Sequence, residues 1–191
     1  MIESVLTEIN KHVSLSEAEA ERVTQAFKVK KVRRNQFLVQ PPDVAQQEHF
    51  VVKGCLVEYY LDDNGTQRAL AFAAENSWMT DLQSFLTTED SKYYVEALED
   101  GEVLTIRKDV LDKLLLDIPL LNIYFRILYQ NAIVAQKERL LNILSSKTDE
   151  HYLKFRQKYP HLENRVPQYW IASYLGVTPE FLSRVKSRSL R

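Results

Sequence analysis

The sequence predicts an α+β chain: an N-terminal antiparallel β-roll or sandwich, a long helix, and an all-α helix-turn-helix tail. Three observations carry this. Short β-branched and aromatic runs separated by turn residues fill the stretch from Lys28 to Ile106, helical periodicity takes over after Arg107, and a glycine turn at Gly176 joins two further helix signals.

Each element has a local reason. Ser16-Glu17-Ala18-Glu19 has capping-box spacing and opens a helix that runs toward Phe27 without a breaker. The strands are expected at Phe37–Val39, Phe50–Val52, Leu56–Tyr60, Ala69–Phe72, Tyr93–Val95 and Val103–Ile106. Between them stand Pro41-Pro42-Asp43, Lys53-Gly54, Asp62-Asp63-Asn64-Gly65 and Asp100-Gly101, of which Asn64-Gly65 is the strongest hairpin signal. Val110, Leu111, Leu114 and Leu115 then mark one face of a short helix. From Ile118 to Leu144 no glycine or proline follows Pro119, which a first turn tolerates, so a helix roughly 40 Å long is expected.

That helix is apolar on more than one side. Leu121, Phe125, Leu128, Ala132 and Ala135 follow 3–4 spacing and are the expected dimerisation stripe, while Leu120, Ile127, Ile133, Val134, Leu140 and Leu144 cover other sides. One side can pack on the β-domain, and the other is then satisfied most simply by a second copy of the chain. Ser145-Ser146-Lys147-Thr148 breaks the pattern and offers N-caps for a helix over Asp149–Lys158.

Composition excludes several classes. Hydrophobic residues at 45% and charged residues at 27% are those of a folding globular chain. The opening MIESVLTEINKH has no secretory signal character, and arginine, lysine and glutamate interrupt the most apolar stretch, so a cytoplasmic chain without membrane contact is expected. The single cysteine, Cys55, reads as a strand residue. His12, His49, His151 and His161 have no ligand spacing, and no phosphate loop or nucleophile elbow occurs, so no catalytic residue, metal or cofactor is expected.

Charge is unevenly placed: residues 151–191 carry a net +6 and residues 1–150 a net −7. A basic tail suits a polyanion but is also compatible with a solvated face. Within it, Pro167 suits a first helical position, Gly176 a left-handed C-terminal turn, Thr178 an N-cap and Pro179 the next first position. With Phe181, Leu182 and Val185 inward, the second helix presents Thr178, Pro179, Glu180, Ser183, Arg184, Lys186, Ser187 and Arg188 as candidate DNA-binding residues. Arg184 and Glu180 suit base edges, and Lys186 and Arg188 suit phosphate.

The order β-roll, long helix, helix-turn-helix resembles the cyclic-AMP receptor/Fnr (Crp/Fnr) family of bacterial regulators over essentially the whole chain. Val52-Lys53-Gly54, Asp63-Asn64-Gly65 and Ile171-Ala172 through Leu175-Gly176-Val177-Thr178 carry it. The resemblance implies a cyclic-nucleotide-binding-like roll of the double-stranded β-helix type and a homodimer on double-stranded DNA. RNA polymerase and an unidentified small-molecule effector are further candidate partners. Glu180 and Arg184 fall on two of the family's base-reading positions, and Pro179 stands where the third is usually arginine. The family holds its nucleotide with a glycine-glutamate-leucine run and a later arginine-serine or arginine-threonine pair. Here the corresponding pocket residues are Thr80, Asp81, Leu82, Ser91 and Lys92, so the pocket is expected to be degenerate. The chain also ends at Arg191, where the family continues into a β-hairpin wing. The expected division is a sensor roll over 1–117, a dimerisation helix and hinge over 118–146, and a DNA-binding head over 147–191. The rival reading is a ligand-binding or protein-interaction module with a vestigial DNA-binding tail.

Overall fold

A computed structural model of the chain describes residues 2–144, 148–160 and 162–189. The Ser145-Ser146-Lys147 break, His161 and Arg191 lie outside the described residues, as do the side chains of Thr148 and Arg188.

Two helices, α1 (Ile2–Ile9) and α2 (Glu17–Ala26), precede the strands, and α2 has the expected capping box between Ser16 and Glu19. Eight strands follow: β1 (Lys28–Val32), β2 (Phe37–Val39), β3 (Gln47–Lys53), β4 (Leu56–Leu61), β5 (Gln67–Ala73), β6 (Trp78–Met79), β7 (Tyr94–Ala97) and β8 (Gly101–Arg107). They form two four-stranded sheets, ordered β1-β8-β3-β6 and β2-β7-β4-β5. The pairings β1/β8, β3/β8, β3/β6 and β2/β7 are antiparallel. A short helix, α3 (Leu82–Thr87), interrupts the strands between β6 and β7. The turns keep their glycines for steric reasons: a Cβ on Gly101 would stand 2.2 Å from the Lys53 carbonyl oxygen. At the β4–β5 tip Gly65 has φ 75°, and Asp62 Oδ1 accepts from the Asn64 and Thr66 amides at 3.0 and 2.9 Å. Phe50, Val51, Val57, Val95, Val103 and Leu104 are buried and form the heart of the roll. Cys55 is buried as well.

Helix α4 (Lys108–Asp117) buries Leu111 and Leu114, and Ile118 ends it. The long helix α5 is Pro119–Leu144, followed by α6 (Thr148–Lys158), a 3-10 turn (Leu162–Asn164), α7 (Gln168–Leu175) and α8 (Pro179–Ser189). Pro167 precedes α7 rather than opening it: its ψ of 140° is extended, so the first helical residue is Gln168.

The chain falls into two compact units. One is residues 1–58 with 72–130; the other joins the hairpin tip, 59–71, to residues 131–191. In the first unit the start of the expected dimerisation stripe turns inward. Leu121 and Phe125 are 1% and 4% exposed, and the Phe125 ring meets Trp78 edge-on at 5.4 Å. Leu128 and Ala135 are half-buried and Ala132 is exposed. The aromatic residues of α5 find partners in the roll of their own chain: the Trp78 indole N–H donates to the Tyr124 hydroxyl at 2.7 Å, and the Trp78 ring meets Phe125. The exposed apolar residues of α5 are instead Ile133, Val134, Leu140, Leu141, Ile143 and Leu144, with Ile123 nearer its start.

Among the described residues no helix is long and apolar enough to cross a membrane.

Candidate nucleic-acid interface and sensor pocket

Gly176 adopts φ 71° and ends α7, with its amide donating to Ala172 and Ser173 carbonyls. Two residues on, Thr178 Oγ1 accepts from the Phe181 amide at 3.2 Å and starts α8. This glycine turn and cap fix the angle between the helices, and their buried stripes lock it: Trp170, Ile171, Ala172 and Leu175 on α7, Leu182 and Val185 on α8. What α8 leaves outside is Thr178, Pro179, Glu180, Ser183, Arg184 and Ser187, all exposed. Glu180 and Arg184 stand one turn apart. The Glu180 carboxyl is held below its ordinary range by the amide at its own helix start, the Thr178 hydroxyl and Arg184, so it stays ionised. The Arg184 guanidinium lies over the Phe181 ring at 5.3 Å, which limits its rotamers before any partner arrives.

Lys186 corrects the sequence expectation. Its ammonium pairs with Glu163 at 2.9 Å and its side chain is 15% exposed, so it is turned inward rather than outward. Glu163 also accepts from Tyr152 and pairs with Arg156 at 3.1 Å. Burial opposes its ionisation, but the hydrogen bonds from Tyr152 and Lys186 and the neighbouring cations prevail and hold the carboxyl below its ordinary range. Lys186 therefore ties α8 to the 3-10 turn.

The head also grips the hairpin tip inside its own compact unit. Ser173 Oγ donates to the Gln67 carbonyl at 3.0 Å and accepts from the Ala69 amide at 2.9 Å. Arg139 donates to the carbonyls of Ala69 and Tyr174 at 2.7 and 3.2 Å, and the Tyr59 ring stacks on Trp170 at 4.9 Å.

In the roll, Asp81 and Ser91 of the five candidate pocket residues are occupied with one another. Asp81 Oδ1 caps α3 by accepting from the Ser84 amide at 3.1 Å, and its Oδ2 accepts from the Ser91 hydroxyl at 2.5 Å. Ser91 Oγ in turn accepts from the Tyr93 amide at 3.1 Å. Thr80 donates to the Gln47 carbonyl at 2.8 Å. Thr80, Asp81 and Ser91 are buried, Leu82 is half-buried and Lys92 is exposed. Asp81 and Ser91 thus serve the turn itself.

Sequence reasoning passed over a second buried polar group. Glu48 on β3 is 2% exposed and accepts a hydrogen bond from Tyr129 of α5 at 3.1 Å; burial pushes its carboxyl up to about 7. Beside it, His49 is buried with Nδ1 donating to the Met79 carbonyl at 3.1 Å, and burial holds its imidazole down at about 4. The available signal was strand alternation, which puts Glu48 on the same face as Phe50.

Residues 29–117 match the cyclic nucleotide-binding domain family model. The chain is 27% identical over 190 residues to the fumarate and nitrate reduction regulatory protein of Vibrio cholerae, covering 92% of this chain and 74% of that protein. It is 25% identical over 189 residues to the regulatory protein HlyX of Actinobacillus pleuropneumoniae, covering 92% and 77%. Its fold matches a crystal structure of a putative Crp/Fnr-family transcriptional regulator from Eubacterium rectale with a TM-score of 0.66 and 19% identity, over 90% of this chain and 82% of that one.

Proposed function

We propose that the chain is a Crp/Fnr-family transcription regulator, as its similarity to such regulators supports, and that it acts in the cytoplasm as a homodimer that reads the DNA major groove with the helix over residues 178–188. The observation that carries this is the outer face of α8, where Glu180, Ser183, Arg184 and Ser187 are exposed together while Leu182 and Val185 are buried. That face combines a planar fork for guanine, an acceptor for cytosine N4 and hydroxyls for phosphate. The roll over 1–117 is the sensor, 118–146 the dimerisation helix and hinge, and 147–191 the head.

Dimerisation uses the exposed residues of α5 rather than the buried ones. Val134, Leu141 and Leu144 stand seven and three residues apart beside Ile133 and Leu140, and Val134 and Leu141 are 55% and 67% exposed. An apolar stripe of that kind is the seam of a two-helix contact. The roll does not respond to cyclic AMP, because the Asp81 carboxylate is already satisfied by Ser84 and Ser91, and no arginine stands at the family's phosphate position.

Titration of the protein against its mapped genomic sites and scrambled duplexes, at low and physiological salt, tests the reading. Specific binding that weakens linearly in log salt is expected. Absence of binding to any duplex at low salt would establish the interaction-module reading instead.

A further inference from the structure

Within the head's own compact unit, α5, α6 and α7 enclose a cleft of about 420 Å³, in the size range of small-ligand sites. We infer that this cleft binds a small aromatic anion, a flat ring bearing a carboxylate or phosphate. The argument does not depend on DNA binding by α8.

Its walls supply both halves of such a ligand's chemistry. Helix α5 contributes Arg139 and Ile143, α6 contributes Lys154, Phe155 and Lys158, and α7 contributes Tyr174. Phe155 and Tyr174 stand 5.7 Å apart at 52°, and Tyr159 packs on both, so one side of the cleft is an aromatic cluster. The Arg139 guanidinium is fixed over the Tyr174 ring at 4.9 Å by its bonds to the Ala69 and Tyr174 carbonyls. Among the described residues that line the cleft are three cations, Arg139, Lys154 and Lys158, and one acid, Glu138. Burial lowers Lys158, with Glu138 opposing the shift and Arg139 adding to it. Burial also lowers His151, another wall residue, with Lys154 adding to the shift and Glu150 opposing it. Cations set beside aromatic rings around a partly apolar space suit an anion with a flat body.

The location gives binding a consequence. Counting about 100° per residue, Arg139 and Ile143 lie roughly 140° and 180° around α5 from Val134, so a ligand there sits on the side away from Val134 and Leu141. Being held at once by α5, α6 and α7, it stiffens the attachment of the first helix of the helix-turn-helix, and binding to the folded state alone raises its stability.

Calorimetry with the full-length protein tests the site, using 2-naphthoate, 1-naphthyl phosphate, 2-naphthol and inorganic phosphate as probes. At least one naphthyl anion is expected to bind about tenfold more tightly than both 2-naphthol and inorganic phosphate, and the better anion identifies the headgroup class. Lys158→Ala and Lys154→Ala should each weaken that probe about tenfold, Lys158→Arg should restore it, and Lys92→Ala in the roll should leave it unchanged. Equal binding of the charged and neutral naphthyl probes overturns the inference, as does unchanged affinity in both lysine variants. Loss of affinity in Lys92→Ala moves the site to the roll and also overturns it. If no probe binds while the lysine variants weaken every duplex alike, these cations serve DNA phosphate and the inference fails while the DNA reading stands.

Discussion

Replacing Glu48 by glutamine measures what one buried carboxyl costs the fold. Glu48 is 2% exposed and its folded-state carboxyl titrates at about 7 instead of the ordinary 4.5, through burial that the Tyr129 hydrogen bond only partly offsets. A raised carboxyl value means that the native state keeps its proton when the unfolded chain has already lost it. Below 4.5 both states are protonated and there is no penalty; between 4.5 and about 7 only the unfolded chain ionises, so stability falls as pH rises; above about 7 the penalty is complete. The interval from 4.5 to about 7, at about 1.36 kcal/mol per pH unit, amounts to about 3 kcal/mol. His49 acts in the opposite sense. Its folded value of about 4 against an ordinary 6.5 means that stability is lost as pH falls through that window, because only the unfolded chain takes up the proton. In the wild type the two slopes offset one another between 4.5 and 6.5, and the difference between wild type and Glu48→Gln isolates the carboxyl. Glutamine keeps an oxygen for Tyr129. Urea denaturation of both proteins from about pH 4.5 to about pH 8 should show the variant gaining on the wild type by about 3 kcal/mol as pH rises, on top of a constant offset. A difference that is flat with pH, or that shrinks as pH rises, would refute a buried, ionisable Glu48.

Three further outcomes are expected. Arg184→Ala should cost ~1–3 kcal/mol on the specific duplex and much less on a scrambled one, whereas Lys186→Ala should lower the melting temperature of the head and leave the salt slope unchanged, which parallel binding and thermal-unfolding measurements separate. Leu141→Glu should dissociate the dimer in sedimentation with the fold intact, while Phe125→Glu should unfold the roll by burying a charge beside Trp78, as circular dichroism would show. Calorimetry with cyclic AMP or cyclic GMP should give no binding tighter than roughly millimolar, and a micromolar constant would mean that Asp81 and Ser91 release one another for a nucleotide.

The helix-turn-helix was legible residue by residue because its signals are local: a positive-φ glycine, a threonine cap and a proline one residue later. The same held for the hairpin at Asn64-Gly65. What escaped was set by partners distant in sequence. Strand β1 has only two apolar residues among lysines, with Val29 44% exposed, and β6 is two residues long and exists through its pairing with His49 and Phe50. Apolar residues all around α5 announce two packing surfaces but not which one is the roll; the aromatic pair Tyr124-Phe125 decided that. Lys186 was drawn inward by Glu163, a carboxylate on a turn that periodicity does not place. Asp81 was weighed as a ligand group through resemblance, when its Asp-x-x-Ser spacing to Ser84 also fits a helix cap.

Strand β5 ends its sheet, so one side of it offers backbone groups to whatever comes near. Ser173 meets two of them, the Gln67 carbonyl and the Ala69 amide, from 106 and 104 residues further along the chain, and Arg139 takes the Ala69 carbonyl. A single serine hydroxyl thus stands in for the neighbouring strand that β5 lacks. During synthesis the Gln67 carbonyl and the Ala69 amide remain uncovered until α7 has emerged, and a chain cut before residue 147 never covers them. Such a fragment is expected to add strands from other copies at this edge and to aggregate, so Ser173 shields this strand edge from self-association.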